Sequence, residues 1–195
     1  MTPIELALAE ARAAAARGEV PVGAVVTDPA GQVLGRAGNR VEEDHDASAH
    51  AEILALRQAA RLRGSPRLAD CTLTVTLEPC PMCAQAASFF RVRRIVFGAY
   101  DPKGGGVEHG ARIFQAPSCH HAPEIIGGVR ETECATLLTE FFRERRKHGG
   151  SAPEPPPGEL SSPGPPHSSG QTGTALTKNR RRPFLPASRD RDAAR

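Results

Sequence analysis

Two cysteines three residues apart, Cys80 and Cys83, restrict what this chain can fold into more than any other feature. The remaining cysteines, Cys71, Cys119 and Cys134, are isolated, so there is no second close pair. On its own such a pair is more often a redox pair, half of a structural zinc site or two core cysteines. A structural zinc site needs four protein ligands, and a disulfide framework usually has an even number of cysteines. The pair therefore indicates metal or redox chemistry.

A candidate partner for the two cysteines is the fragment His50-Ala51-Glu52. Three protein ligands and one open position are typical of a catalytic zinc ion. Cys80 and Cys83 would share one face of a first helical turn, where the helix N-terminus favours thiolates, and His50 would be the third ligand. Glu52 points around its helix from His50 and could act as a general base on a metal-bound water. The two fragments together match the zinc deaminase signature, in which a zinc-bound hydroxide attacks and the glutamate shuttles protons.

The composition changes at Gly149. In residues 149–195, Pro, Gly and Ser occupy 21 of 47 positions, and seven basic residues face four acidic ones. Such a segment buries too little apolar surface to offset the entropy of ordering, which predicts a disordered Pro/Gly/Ser/Arg-rich tail. Residues 1–148, with 18 basic and 18 acidic residues, are predicted to form one domain. This neutral domain is compatible with a small footprint on one nucleic-acid loop.

Apolar periodicity predicts strands that alternate with helices, which indicates a layered α/β domain. A turn at Asp28-Pro29-Ala30-Gly31 would join the first two strands into an antiparallel hairpin. The apolar stripe of the last helix places Cys134, Phe141 and Phe142 toward the core. The predicted strands are Val20–Val26, Gln32–Ala37, Cys71–Leu77, Arg94–Ala99 and Ile125–Ile126. The predicted helices run from Pro3 to about Arg17, from Ser48 or Ala49 to about Arg63, from Pro79 to Phe90 and from Glu131 to Lys147.

The chain shows no targeting or membrane segment. No apolar run approaches the roughly 18 residues of a membrane span. The N-terminus lacks a basic segment followed by an apolar one, and Glu5, Glu10 and Glu19 argue against a transit peptide. We therefore expect a cytoplasmic protein that does not contact a membrane.

Several fragments recur as a set in one family: Glu19–Val25, Gly38-Asn39-Arg40, His50-Ala51-Glu52, Thr76–Ala84, Ile95–Ala99 and Phe141-Phe142-Arg143. From about Ile4 to Lys147 the chain resembles the bacterial tRNA-specific adenosine deaminases, which belong to the cytidine-deaminase-like enzymes. The zinc motif is shared across that superfamily, and the other fragments narrow the resemblance to the tRNA branch.

The resemblance implies a three-layer α/β/α fold with a five-stranded mixed sheet, one Zn²⁺ per subunit and a homodimer. It also implies hydrolytic deamination of the wobble adenosine in a tRNA anticodon stem-loop to inosine. Six residues would contact the RNA by the same resemblance: Asn39 and Val22 at the target nucleoside, Asp101 and Lys103 at its neighbours, and Phe142 and Arg145 from the last helix.

The chain departs from the family pattern near its fourth strand. Tyr100 precedes Asp101 where many members carry Arg, and Gly104–Gly110 differs from the shorter Gly-Ala-x-Gly-Ser form. Further along, Cys119-His120-His121 suggests a loop with exposed histidines rather than a second metal site, because no matching ligands lie nearby in the sequence.

Two other functions remain open from the residues alone. A deaminase of a free nucleobase or nucleoside, of cytosine, guanine or adenosine type, would use the same hydrolytic centre. It would need a lidded pocket and would have no use for the basic end of the last helix. In a non-catalytic zinc protein, the metal would have only a structural role and would hold two helices together.

Overall fold

The computed structural model describes residues 1–147, so the predicted tail lies outside the described residues. One five-stranded mixed sheet lies between two layers of helices, which confirms the predicted α/β/α fold. Among the described residues, no helix is long and apolar enough to cross a membrane. The helices are α1 (Pro3–Ala16), α2 (Ala51–Arg63), α3 (Pro81–Phe89) and α4 (Glu131–Lys147), with a 3₁₀ turn at Ile113–Gln115. The strands are β1 (Gly23–Thr27), β2 (Val33–Gly38), β3 (Thr72–Leu77), β4 (Arg94–Ala99) and β5 (Glu124–Ile126).

The strand order in the sheet is β2-β1-β3-β4-β5. Strand β1 is antiparallel to β2 and to β3, whereas β3, β4 and β5 are parallel. The β1–β2 connection is a tight turn in which the Asp28 carboxylate accepts hydrogen bonds from the N–H groups of Ala30 and Gln32. Parallel neighbours need a longer crossover, and α3 provides it between β3 and β4. The carboxyl ends of β3 and β4 therefore lie side by side.

Helices α1 and α4 cover one face of the sheet, and α2 and α3 cover the other. Gly23 lets α1 approach β1 closely, because a Cβ there would lie 2.6 Å from the backbone nitrogen of Ala11. The larger core cluster, with Leu56, Val75 and Phe97, fills the space between the sheet and α2 and α3. The close packing fixes the N-terminus of α2 relative to the sheet.

The predicted elements differ from the observed ones mainly at their ends. The first strand was expected from Val20 but begins at Gly23, because the chain turns between Val20 and Val22, whose carbonyl and N–H bond at 2.7 Å. The prediction that Phe142 faces the core is wrong. Its side chain is 42% exposed, while Cys134 on the same helix is buried.

Candidate metal centre and adjoining pocket

His50, Cys80 and Cys83 come together at the carboxyl edge of the sheet. Their ligand atoms all lie within 4.8 Å of one another. The His50 Nδ1 atom lies 3.6 Å from the Cys80 Sγ atom and 3.5 Å from the Cys83 Sγ atom. A tetrahedral zinc ion with Zn–S bonds of about 2.3 Å and Zn–N bonds of about 2.0–2.1 Å places its sulfur and nitrogen ligands about 3.5 Å apart. The donor set and its spacing therefore fit zinc.

Two helix N-termini hold this triangle. His50 is the extended residue before α2, and Cys80 is the extended residue before α3, where Pro81 takes the first helical position. Cys83 follows in the first turn of α3 and is fully buried. Both helices thus direct their positive dipole ends at the sulfurs, which stabilises thiolate charge.

The three side chains polarise one another. A hydrogen bond from Cys83, helped by His50, lowers the pKa of the Cys80 thiol to about 4, although burial opposes this. The Cys80 thiolate and burial raise the pKa of Cys83, since a second charge beside the first is unfavourable. The hydrogen bond with Cys80 raises the pKa of His50. A single thiolate, that of Cys80, is therefore favoured in this cluster, and its two sulfur atoms and one imidazole nitrogen are a donor set that suits zinc.

Glu52 lies in the first turn of α2 and is 3% exposed. Burial raises the pKa of its carboxyl group above the ordinary value. It lines the same cavity as His50 and Cys80. A buried carboxyl with a raised pKa beside a candidate metal site can both accept and return a proton.

The metal centre opens into a cavity of about 340 Å³. Its walls include most of the residues predicted from the sequence, but the buried Cys83 is not one of them. Lys103 and Phe142 do not line this cavity. Lys103 is exposed, and Phe142 borders an adjoining cavity that shares Asp101 with the first. The predicted residues on the wall are Val22, Asn39, His50, Glu52, Cys80, Asp101 and Arg145.

Two buried carboxylates in the cavity wall were not among the predicted site residues. Glu19 is 1% exposed and accepts hydrogen bonds from the N–H groups of Glu42 and Glu43. Glu78 is 2% exposed. Although burial raises its pKa, hydrogen bonds from the backbone N–H groups of His109 and Asp101 outweigh this and lower it. Both carboxylates stand next to apolar runs in the sequence, a placement that could have marked them as buried.

The Cys119-His120-His121 segment lies against the end of α3. The Cys119 Sγ atom lies 3.5 Å from the Ser88 hydroxyl, which donates a hydrogen bond to the His121 carbonyl. The His121 Nε2 atom is 2.7 Å from the carbonyl oxygen of Val92. These contacts tie the segment to the domain through hydrogen bonds.

The chain is similar to several known proteins. A family model described as the cytidine and deoxycytidylate deaminase zinc-binding region matches residues 2–99. The tRNA-specific adenosine deaminase of Agrobacterium fabrum is 54% identical over 143 residues, which cover 73% of this chain and 93% of the relative. That of Bacillus subtilis is 45% identical over 141 residues, covering 72% and 87%. A solved structure from a study of A-to-I editing by tRNA:A34 deaminases is 53% identical, with a TM-score of 0.68, covering 70% of this chain and 98% of that one.

Proposed function

The chain belongs to the deaminase family defined by the cytidine and deoxycytidylate deaminase zinc-binding region, and from this we propose that it is a zinc-dependent tRNA adenosine deaminase. The reaction would be hydrolysis of the wobble adenosine in a tRNA anticodon loop to inosine. One observation carries the proposal: the His50, Cys80 and Cys83 triangle opens into a cavity that also holds the buried carboxyl of Glu52. The high identity to tRNA-specific adenosine deaminases supports the choice of substrate.

His50, Cys80 and Cys83 would hold one zinc ion per subunit. When bound, zinc supplies a Lewis acid that makes a water molecule easier to deprotonate. The two thiolates of this chain offset the charge of the cation, so less acidification is expected than at an all-histidine site. A carboxylate is therefore needed to take the proton, and Glu52 is placed to do so.

Glu52 would move both protons of the reaction. It would take a proton from the attacking water as the new C–O bond forms at C6 of adenine, and give it to a ring nitrogen. It would then take the proton of the new C6 hydroxyl group and give it to the amino group, so that C6 becomes a carbonyl as the C6–N bond breaks and ammonia leaves. Its burial excludes bulk water and holds its pKa above that of a solvated carboxyl, which suits a group that both accepts and donates.

The same cavity offers groups that would orient an extruded base. Asn39 is 7% exposed, and its side-chain oxygen accepts a hydrogen bond from the N–H group of Ala51, which leaves its amide N–H₂ group for a ligand. Val22 adds an apolar contact. At the rim we propose that Asp101, Lys103, Phe142 and Arg145 contact neighbouring nucleotides. Arg145 brings a positive charge to a wall that otherwise carries acidic groups, so it is the side chain there suited to a phosphate.

We further propose a homodimer that acts in the cytoplasm, with residues 1–148 as the deaminase domain and residues 149–195 as a tail. Light scattering of the purified protein tests the oligomer. Twice the chain mass of 20.7 kDa supports the homodimer, and a chain-sized mass at assay concentration contradicts it.

Incubation with substrates tests the function. We expect purified, zinc-loaded protein to produce inosine at the first anticodon position of tRNA, read by sequencing. Free adenosine and free cytosine serve as parallel substrates. Turnover of a free compound without any inosine in tRNA would support the alternative nucleobase or nucleoside deaminase and reject the tRNA enzyme.

A further inference from the structure

The buried carboxylate of Glu78 accepts hydrogen bonds from several residues of one loop. Glu78 follows β3 directly, and its Oε1 atom accepts hydrogen bonds from the N–H groups of Val107, Glu108 and His109 at 3.3, 2.9 and 2.9 Å. Its Oε2 atom accepts one from the N–H group of Asp101 at 3.0 Å and lies 2.8 Å from the His109 Nδ1 atom. Since a carboxylate can only accept, Nδ1 carries the proton in this contact.

The segment held by Glu78, residues 101–110, forms part of the cavity wall. Asp101 and Gly104 border the same cavity as Glu52. Within the segment, the Asp101 carboxylate accepts hydrogen bonds from the N–H groups of Lys103 and Gly104 at 3.1 and 2.9 Å. The shape of this wall therefore depends on bonds that converge on Glu78 and Asp101.

The loop backbone packs directly on the carboxylate. A Cβ atom at Gly105 would lie 2.6 Å from both the Cδ and the Oε1 atom of Glu78, so a side chain there has no room. Gly106 adds a bond from its N–H group to the carbonyl oxygen of Pro79 at 2.8 Å. The segment thus has little freedom to move away from the strand that precedes the metal ligands.

His109 connects this arrangement to the core. Its ring meets Tyr100 edge to face with centroids 5.7 Å apart, and Tyr100 meets the buried Phe97 in the same manner at 5.1 Å. His109 therefore contacts the Glu78 carboxylate on one side and the ring of Tyr100 on the other.

We propose that Glu78 and His109 are positioning residues that fix residues 101–110 in the shape that receives the nucleotides beside the target base. Neither residue would take part in proton transfer. This inference rests on the proposed tRNA deaminase function, and it predicts that disturbing either residue weakens RNA recognition while the hydrolytic centre is retained.

Replacing Glu78→Gln tests the carboxylate. Glutamine keeps the shape but places an N–H₂ group against backbone N–H donors, so at least one set of bonds is lost. We expect KM for an anticodon stem-loop RNA to rise by about tenfold or more, with kcat changed by less than about threefold. One zinc per chain should remain. An unchanged KM, or loss of zinc together with kcat, would overturn the positioning role.

Replacing His109 gives a second test that depends less on folding, because this side chain is partly exposed. His109→Leu removes the N–H donor, whereas His109→Asn keeps a donor near the Nδ1 position. We expect the Leu variant to raise KM and the Asn variant to restore most of the difference. His120→Leu, outside the segment, is the matched control and should leave KM unchanged. Equal KM values for His109→Leu and the control would contradict the proposal.

The outcomes separate the two proposals. If the unaltered protein forms no inosine in RNA, the tRNA deaminase function fails, whatever the variants do. If the unaltered protein is active and the Glu78 and His109 variants share its KM, only the positioning role fails.

Discussion

The side-chain oxygen of Asn39 accepts a hydrogen bond from the backbone N–H group of Ala51, the first residue of α2, at 2.9 Å. The first N–H groups of a helix have no partner inside the helix, so Asn39 acts as a cap from another part of the chain. The same helix turn carries Glu52. One side chain therefore fixes the start of α2 and, with its remaining amide group, borders the cavity.

The two roles of Asn39 can be separated by two substitutions. Asn39→Asp keeps an oxygen that can cap α2 but replaces the N–H₂ donor with a carboxylate oxygen, so we expect full zinc content, a somewhat lower melting temperature because a carboxylate costs more to bury than an amide, and KM raised about tenfold. Asn39→Ala loses both and should also be destabilised by about 1 kcal/mol, as for a lost helix cap. Thermal melting and steady-state kinetics measure the two effects. A normal KM for Asn39→Asp would remove Asn39 from substrate binding.

Replacing Glu52→Gln should separate catalysis from folding. The substitution keeps the size of the side chain and removes its ability to take a proton. We expect kcat to fall by about 10²- to 10⁴-fold, the usual contribution of a general acid–base group. Because the neutral amide is less costly to bury than a carboxylate, melting temperature and zinc content should be retained. Undiminished turnover in this variant would exclude Glu52 from the mechanism.

Cys83→Ser tests the ligand set. A serine hydroxyl remains protonated at neutral pH and is a poor zinc ligand, so we expect the metal content to fall well below one per chain. Because metal binding and folding are coupled, melting temperature should fall too. The control is Cys119→Ser, a partly buried thiol outside the centre that should keep its zinc. Elemental analysis that finds full zinc in Cys83→Ser would reject Cys83 as a ligand.

The metal centre was predictable because its residues lie in two short fragments of the sequence. Cys80 and Cys83 are three residues apart, so helix geometry places them on one face, and His50 and Glu52 are separated by a single residue at the start of another helix. Glu78 was not predictable in the same way. Its partners are backbone N–H groups up to 31 positions away, and backbone donors leave no mark in a sequence.

The sheet, too, was predictable from the sequence only in part. The β1–β2 hairpin followed from a turn sequence between two apolar runs. The parallel strands β3, β4 and β5 are separated by long connections, so no short turn sequence marks their pairing. Only the family resemblance implied the mixed sheet. The exposed position of Phe142 was not predicted, because an apolar stripe along a helix does not show where the layer of structure that packs against it ends.

Removing the C-terminal segment tests the predicted domain boundary. Within residues 1–147, the part of the chain that the structure describes, the apolar core clusters are built from residues between Ile4 and Leu138, and the Pro/Gly/Ser-rich sequence of residues 149–195 offers little apolar surface to add to them. We therefore expect a protein ended after His148 to melt cooperatively within a few degrees of the full chain and to keep its zinc. Differential scanning calorimetry of both proteins at equal concentration makes the comparison. A large drop in melting temperature would show that residues 149–195 contribute to the fold.

Gly98→Ala tests how closely α4 must pack on the sheet. A Cβ atom at Gly98 would overlap the Cys134 Sγ atom and lie 2.7 Å from the carbonyl oxygen of Thr76. Overpacking a tight core costs about 1–3 kcal/mol, so urea unfolding should show a loss of that size. Adding Cys134→Ala removes the sulfur but not the Thr76 contact, so the double variant should recover only part of the loss. Because α4 carries Arg145 at the cavity wall, we also expect a higher KM for RNA with unchanged zinc. If Gly98→Ala unfolds at the same urea concentration as the unaltered protein, the sheet does not limit the position of α4 in this way.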